Sequence, residues 1–545
     1  MTPSTLFTAG NTPDAPRSDL PELLQALAAD LRRIGYTVDG VAGLLGEAAH
    51  AALARDQLIP ALIATEAAAR STPATAALAA VVRLWLLAEP QETGTLDAAL
   101  PGIRTDGLLE LDLVEPSGDD RVQAKVDLRP YGWEGTSGED TVSSGGAELW
   151  VASDLAAHQR PGVLRHDHVL GIGQASTTLV QVTARRHVAR ALDLGTGCGI
   201  QTFHLLHHAE HVTATDISER ALAFTRFNLL FNAAALHLDP AELEARVSLR
   251  LGSLLEPVAG EEFDLVVSNP PFVITPRGGG ETAADQFTYR DGGLPGDEIV
   301  SSLVRDLPTV LAPGGTAQLL GNWEIPAGAG WAGRPQSWAS PDADVWFIQR
   351  EQVSPEQYAE TWLQDASEAR DRRLYQASYA AYLDDFAARD VEGIGFGMIW
   401  LRRPAAGTRP VISRFEEITY PIEQPVGPHL GAAVERADWL ASHELAAAHL
   451  LVADDVTEER HQRPGAEHPG VILLRQGAGL RRTNLLSTEL AGFVSACDGE
   501  LSVGQIIGAL DALLGGYEGY DSRAFREGLL GEVGDLVRDG FLLPA

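Results

Sequence analysis

The stretch Ala191-Leu192-Asp193-Leu194-Gly195-Thr196-Gly197-Cys198-Gly199-Ile200 constrains this chain more than any other. A buried-strand pattern runs into three glycines spaced by two, and helix-compatible sequence follows. Glycine lets the backbone turn sharply and approach a ligand with no Cβ in the way. The motif gains meaning from its context. Apolar runs at Ala191–Leu194, Val212–Ala214, Val247–Leu251, Phe263–Val267 and Ala317–Leu320 alternate with turns. Each of the first four is followed by helix-compatible sequence, which specifies a doubly wound, mostly parallel α/β sheet. Two later runs, Val345–Ile348 and Gly395–Leu401, are expected to close its edge. Two insertions, Trp323–Ala343 with Trp331 and Trp338, and the helical pair Pro355–Asp390, are expected to wall the substrate side of the crevice.

The second strand ends in Asp216, about where an acidic residue reaches a ribose diol. Asp193 places a carboxylate within the first glycine motif, where it suits a cationic amino-acid ligand. The fourth strand runs directly into Asn269-Pro270-Pro271-Phe272. Ligands bind at the carboxyl ends of the strands in such sheets, so the tetrapeptide belongs beside the ligand. Two prolines fix φ and remove two donors, leaving rigid carbonyls. A planar amino group, whether an amide or the exocyclic amine of a base, offers two N–H donors. The Asn269 side-chain oxygen and the Pro270 carbonyl can accept both, and Phe272 can stack on the plane. Asn269, Pro270 and Phe272 are therefore the catalytic candidates, acting by positioning and electrostatics without an obligatory general base.

Together these motifs resemble class I S-adenosylmethionine-dependent methyltransferases, and the tetrapeptide resembles the Asn-Pro-Pro-aromatic (small methyltransferase domain) group, which methylates planar nitrogens. Tyr289-Arg290-Asp291 followed by Gly292-Gly293-Leu294 is loosely similar to the release-factor glutamine N5-methyltransferases. The resemblance implies a Rossmann-like seven-stranded methyltransferase sheet with S-adenosylmethionine as cofactor. It implies cofactor contacts from Asp193, Gly195, Thr196, Gly197, Gly199, Asp216, Ile217, Ser253, Leu254 and Asn269. Ser253 departs from the pattern, because many relatives carry an acidic residue there for the adenine amino group. The segment Asp167 to Thr177 resembles one that folds over the cofactor. The activity implied is N-methylation of a planar sp² nitrogen, with a protein or peptide glutamine amide as the leading substrate. An adenine N6 or guanine N2 amine in structured RNA or DNA is the alternative, and a cofactor-binding scaffold without catalysis is the third reading.

Charge bears on that choice. The chain carries 41 basic and 75 acidic residues, a formal net charge of −34. Such an excess repels a phosphate backbone unless basic residues cluster, so a protein or peptide partner is favoured over nucleic acid. A local cluster from Arg277, Arg290 and Arg305 would reverse that preference. Cys198 and Cys497 are the two cysteines, too few for a disulfide framework, and a reducing cytoplasm is the expected compartment. Residues 1–19 lack the apolar core of a signal peptide. The longest apolar stretch, Ala76 to Ala88, is too short to span a bilayer, so no membrane association is expected. His166 with His168, and His204 with His207, His208 and His211, read as packing or solvated groups, and no metal is expected. Cys198 reads as packing beside the cofactor.

The expected organisation is a flexible tail over 1–18 and an N-terminal helical-plus-β accessory domain over 19–160, with Leu109–Val114 read as part of a strand pattern. A methyltransferase domain over 161–403 follows, then a mixed C-terminal domain over 404–545 ending in a winged-helix-like module. Residues 485–545 hold three arginines against ten acidic residues, a poor supply for a nucleic-acid face.

Overall fold

The computed structural model describes residues 6–133, 146–160, 165–276, 293–365, 372–515 and 521–545. The chain divides into two compact units, residues 1–180 with 186–408, and residues 181–185 with 409–545. The first unit holds both the N-terminal elements and the large sheet.

Seven strands of that sheet are β1 (Val188–Leu194), β2 (Ala209–Asp216), β3 (Val247–Leu251), β4 (Phe263–Ser268), β5 (Leu311–Pro326), β6 (Asp344–Val353) and β7 (Val391–Arg402). They lie in the order β3-β2-β1-β4-β5-β7-β6. The first five are mutually parallel, and β7 runs antiparallel to both β5 and β6. Leu192, Val212, Ala214, Leu249, Leu265 and Val266 are buried, as strands covered on both faces require. The strand order reverses between β1 and β4, and a crevice opens at such a switch point beyond the carboxyl ends. Register sets what lines it. Leu194 pairs with Thr215 on one side and Ser268 on the other, so Gly195, Asp216 and Asn269 leave the sheet at one level.

Helices α1 (Gln174–Val182), α2 (Ile200–Leu205), α3 (Glu219–Phe231) and α4 (Glu298–Asp306) accompany the strands. The Ser218 hydroxyl caps α3 by accepting from the Ala221 N–H. The inserted pair is α5 (Pro355–Asp365) and α6 (Arg372–Ala388). Two local expectations are corrected. Residues 252–262 alone separate β3 from β4, too few for a crossover helix, and a 3₁₀ turn at Glu256–Val258 stands there instead. Trp323 lies within β5 and is fully buried, with its Nε1 donating to Gln349 Oε1 at 2.9 Å.

The N-terminal part contributes helices Pro21–Ile34, Val38–Leu53, Ile59–Ala69 and Pro73–Trp85, a small antiparallel sheet, and a hairpin of Val126–Trp133 with Ala147–Asp154. Residues Arg104–Glu110 are helical, so the strand pattern of Leu109–Val114 is realised only from Val114 onward. The hairpin docks on α3 through two buried amides. Asn228 Nδ2 donates to the Ala152 carbonyl at 2.9 Å, and Asn232 Nδ2 donates to that of Trp150 at 2.7 Å. Pairing side chains to an edge strand in this way satisfies its backbone and covers it.

The second unit, taken by itself, holds a three-stranded sheet (His449–Val452, Asp498–Ser502, Leu542–Pro544) and an antiparallel one (Val456–His461, Val471–Gln476, Thr483–Leu486). Helices Thr488–Val494, Val503–Leu514 and Ser522–Asp539 pack around Phe493, Val533, Leu536 and Phe541. Ser502 and Gln505 form a reciprocal capping box at the start of the second of these. Among the described residues, no helix is long and apolar enough to cross a membrane.

Candidate active site

A cavity of about 1350 Å³ opens at the carboxyl ends of β1 and β4. Pockets for one small ligand span roughly 300–1,000 Å³, so this one has room for two reactants. Its floor is the glycine loop. Gly195, Gly197 and Gly199 adopt φ values of 78°, 59° and 96°, the left-handed region that an L side chain rarely enters. The N–H groups of Gly195 and Thr196 donate to the Thr215 carbonyl at 2.9 Å, and the Gly197 N–H donates to Asp216 Oδ2 at 3.0 Å. Thr225 Oγ1 donates to the Gly197 carbonyl, and Asn228 Nδ2 to that of Cys198. The loop is thus held from β2 and α3 before any ligand arrives.

Asp193 stands behind the loop and is not part of the cavity wall. It is 1% exposed, and its Oδ2 accepts from Thr196 Oγ1 (2.7 Å), Thr202 Oγ1 (2.7 Å) and the Thr202 N–H (3.0 Å). Its Oδ1 is buried and unpartnered. Burial pushes its carboxyl up to about 6, against the pull of the threonine hydrogen bonds. The carboxylate therefore braces the glycine loop and the start of α2.

Asp216, Ile217, Ser253 and Leu254 line the cavity together with Gly252. Burial also raises the Asp216 carboxyl, and its Oδ1 accepts from the Ser218 N–H at 2.8 Å. A carboxylate has about four acceptor positions, so beyond its backbone partners Asp216 keeps acceptor capacity for a diol hydroxyl. Ile217 is 59% exposed beside it, an apolar surface suited to a flat ring. On the other side, Ser268 Oγ donates to the Leu194 carbonyl at 2.8 Å, fixing the β4 exit against β1. Asn269, Pro270 and Pro271 line the cavity from that exit, and Asn269 Oδ1 is buried without a partner among the described residues. An unmatched buried acceptor costs about 1–3 kcal/mol, which a bound N–H donor would recover. Phe272 is half-buried and does not belong to the cavity wall.

Residues 168–176 close the cavity, with α1 tied to α2 by Gln201 Nε2 donating to the Ser176 carbonyl. This segment is anchored by Arg220, whose guanidinium bonds both Asp154 oxygens at 3.0 and 2.7 Å and the Asp167 carbonyl at 2.8 Å. The Val169 N–H donates to Asp154 Oδ2 at 2.8 Å. Of the two insertions, α5 supplies Thr361, Trp362 and Gln364 to the wall. The segment around Trp331 and Trp338 does not line it. Its Arg334 instead binds the buried Asp297 at 2.5 and 2.6 Å.

Several sequence candidates lie elsewhere. Arg277 and Arg290, with the rest of 277–292, fall outside the described residues, and Arg305 is exposed on α4 away from the cavity. Cys198 lines the cavity, but burial pushes its thiol up to about 12, which disarms it as a nucleophile. His204 meets the Tyr131 hydroxyl at 2.7 Å, and His211 meets Ser248 Oγ at 3.1 Å. Among the described residues no group of three or more His, Cys, Asp or Glu side chains is placed to hold a metal. Residues that sequence reasoning missed are Asp127, Arg129, Ser153 and Asp154 of the hairpin, together with Trp362.

Sheet order, glycine loop and tetrapeptide define the class I methyltransferase architecture. Residues 154–287 match the methyltransferase small domain family model, and residues 33–125 match a domain of unknown function, DUF7059. The chain is 33% identical over 163 residues to the ribosomal protein uL3 glutamine methyltransferase of Bradyrhizobium diazoefficiens, covering 28% of this chain and 46% of that protein. It is 33% identical over 168 residues to the release factor glutamine methyltransferase of Geobacter sulfurreducens, covering 28% and 51%. It is 27% identical over 191 residues to the ribosomal RNA small subunit methyltransferase C of Alcanivorax borkumensis, covering 34% and 49%. The chain spans about half the length of these curated relatives.

Proposed function

We propose that this protein is a cytoplasmic S-adenosylmethionine-dependent N-methyltransferase whose acceptor is a glutamine side-chain amide in a protein or peptide. The observation that carries the reading is Asn269 Oδ1, buried and, among the described residues, unpartnered on a cavity wall that begins one residue beyond β4. S-adenosylmethionine, when bound, supplies an electrophilic methyl group on a sulfonium. The residues present fit it. Asp216 keeps acceptor capacity for a diol, Ile217 offers an apolar face, and the glycine loop leaves its backbone open to close approach.

Asn269 Oδ1 and the Pro270 carbonyl accept the two N–H donors of the amide and orient its nitrogen toward the methyl. Accepting both hydrogens also raises electron density on that nitrogen, so that its lone pair would be aimed at the methyl the cofactor would supply, the new N–C bond forming in exchange for the methyl–sulfur bond. One N–H proton then leaves to solvent. Fixing the two reactants is worth several kcal/mol of barrier without a dedicated base. Two curated relatives named for protein glutamine methylation, and the net charge of −34, support a protein acceptor over a nucleic acid. In this reading residues 19–160 and 404–545 are accessory domains, the latter a mixed domain ending in a winged-helix-like module suited to a peptide.

The test is transfer of tritiated methyl from S-adenosylmethionine into a lysate lacking the protein, followed by separate protease and nuclease digestion. Label is expected to become soluble only on protease treatment. Release by nuclease alone would overturn the assignment in favour of a base amine.

A further inference from the structure

The cavity wall is strongly acidic. Asp56, Asp127, Asp154 and Asp216 line it, and among the described residues Arg129 is the one lysine or arginine that does. Asp127 and Arg129 stand two apart on the hairpin strand Val126–Trp133, so their side chains share a face. Asp127 is 2% exposed, and its Oδ2 accepts from Arg129 Nε at 3.0 Å and, in a short contact, from Nη2. That pair locks the guanidinium plane. Both described hydrogen bonds of Arg129 run through Nε and Nη2, and Nη1 has no partner among the described residues. The arrangement presents the two Nη1 N–H donors of a guanidinium whose charge is shared with Asp127 to an otherwise anionic space, donors that a carboxylate can accept from.

Its place in the cavity selects which carboxylate. Asn228 Nδ2 donates to both the Cys198 carbonyl in the glycine loop and the Ala152 carbonyl in the hairpin, each at 2.9 Å. Ala152 pairs with Leu128, the residue between Asp127 and Arg129. Ser153, paired with Asp127, lies so near Gly171 that a Cβ there would meet its Oγ at 2.6 Å. The hairpin therefore abuts the glycine loop and the closing segment, whereas Asp216 and residues 252–254 lie at the β2 and β3 exits and Asn269 at that of β4. With the nucleoside held toward Asp216 and the sulfonium beside Asn269, the remaining arm, the amino-acid chain, would have the hairpin and its Arg129 within the same cavity. That chain carries the cofactor's single anionic group.

We propose that Arg129, positioned by Asp127, receives the carboxylate of the methionine end of S-adenosylmethionine, so that the N-terminal hairpin completes the cofactor site. The inference rests on the cofactor reading given above. It makes cofactor recognition depend on a residue outside the matched methyltransferase domain, and it ties the N-terminal elements to the catalytic cavity by chemistry as well as packing.

The test is calorimetry of the full chain with S-adenosylhomocysteine and with its decarboxylated analogue, S-adenosyl-3-thiopropylamine, which keeps the ammonium. Wild type is expected to prefer the carboxylate form by about 10- to 100-fold, the range for one charge-assisted contact. Arg129→Gln is expected to bind the two ligands about equally, retaining wild-type affinity for the decarboxylated one, which also reports an intact site. Asp127→Asn is expected to narrow the preference in the same direction, an effect that loss of structure, weakening both ligands alike, would not produce. An unchanged preference in Arg129→Gln overturns the inference while leaving the cofactor reading intact. Failure of the wild-type chain to bind S-adenosylhomocysteine overturns both.

Discussion

Replacing Asp193 by Asn isolates the cost of holding a carboxyl buried behind the glycine loop. Its carboxyl rises from an ordinary 3.8 to about 6 because burial disfavours the charge. The folded chain therefore keeps this proton up to about pH 6, whereas the unfolded chain releases it near pH 4. Stability contributed by the group is full below about pH 4 and is lost as pH rises through the 4–6 window. A shift of about two units at 1.36 kcal/mol each makes the loss about 3 kcal/mol. Asn retains an oxygen for the three donors of Thr196 and Thr202 and places an amide N–H₂ where Oδ1 now has no partner. That misplaced donor has a cost, but a pH-independent one. The assay is urea unfolding of both proteins at pH 4, 5, 6 and 7, following the transition that shifts when S-adenosylhomocysteine is added. The stability of the variant relative to wild type is expected to rise by about 3 kcal/mol from pH 4 to pH 7. A difference that stays flat across that range would refute the reasoning.

Three further changes test neighbouring parts of the account. Asn269→Ala is expected to leave S-adenosylhomocysteine affinity within a few-fold in calorimetry and to cut turnover at least about 100-fold, on the order of 3 kcal/mol; near wild-type turnover would remove Asn269 from the amine-positioning role. Gly199→Ala puts a side chain at φ 96° and a Cβ within 3.3 Å of Thr225 and Phe203, a strain of about 1–3 kcal/mol, and calorimetry should read a loss of cofactor affinity of about tenfold or more. Arg220→Met strands Asp154 beside the closing segment, and since both partners are largely buried, chemical unfolding should register a loss of about 3–5 kcal/mol; a loss below 1 kcal/mol would mean the pair does not hold residues 165–170 in place.

The sheet was legible because strands buried on both faces are dense in apolar residues, and Ala191–Leu194 and Phe263–Val267, each broken by a single aspartate, are such runs, while Val247–Leu251 at the sheet edge alternates apolar with Ser248 and Arg250. The glycine loop and Asn269-Pro270-Pro271 were legible because backbone turning and missing donors leave marks that few other residues can make. Polar contributions from distant strands leave no such mark. Asp127 and Arg129 look like one solvated face of a hairpin, and only the docking of that hairpin on Asn228 and Asn232 makes them cavity wall. Leu109–Val114 alternates with a strand's period, yet Leu108 and Leu111 are also three apart on a helical turn, and Asp112 leaves that turn at φ 61° with its carboxylate bound by Lys125 at 2.7 Å. Local period alone could not decide between them. Trp323 looked like an insertion because β5 is sixteen residues long, well beyond an ordinary strand.

Transfer of a methyl group to a side-chain amide held by Asn269 is checked by identifying the methylated residue itself. Acceptor protein labelled by the purified enzyme with isotopic S-adenosylmethionine would be digested to amino acids by proteases, since acid would hydrolyse the amide, and the label separated by chromatography and mass spectrometry. The account predicts label in N5-methylglutamine, at least about 100-fold less of it with the Asn269→Ala enzyme. Label recovered as methyladenine or methylguanine, or equal N5-methylglutamine from both enzymes, would contradict it.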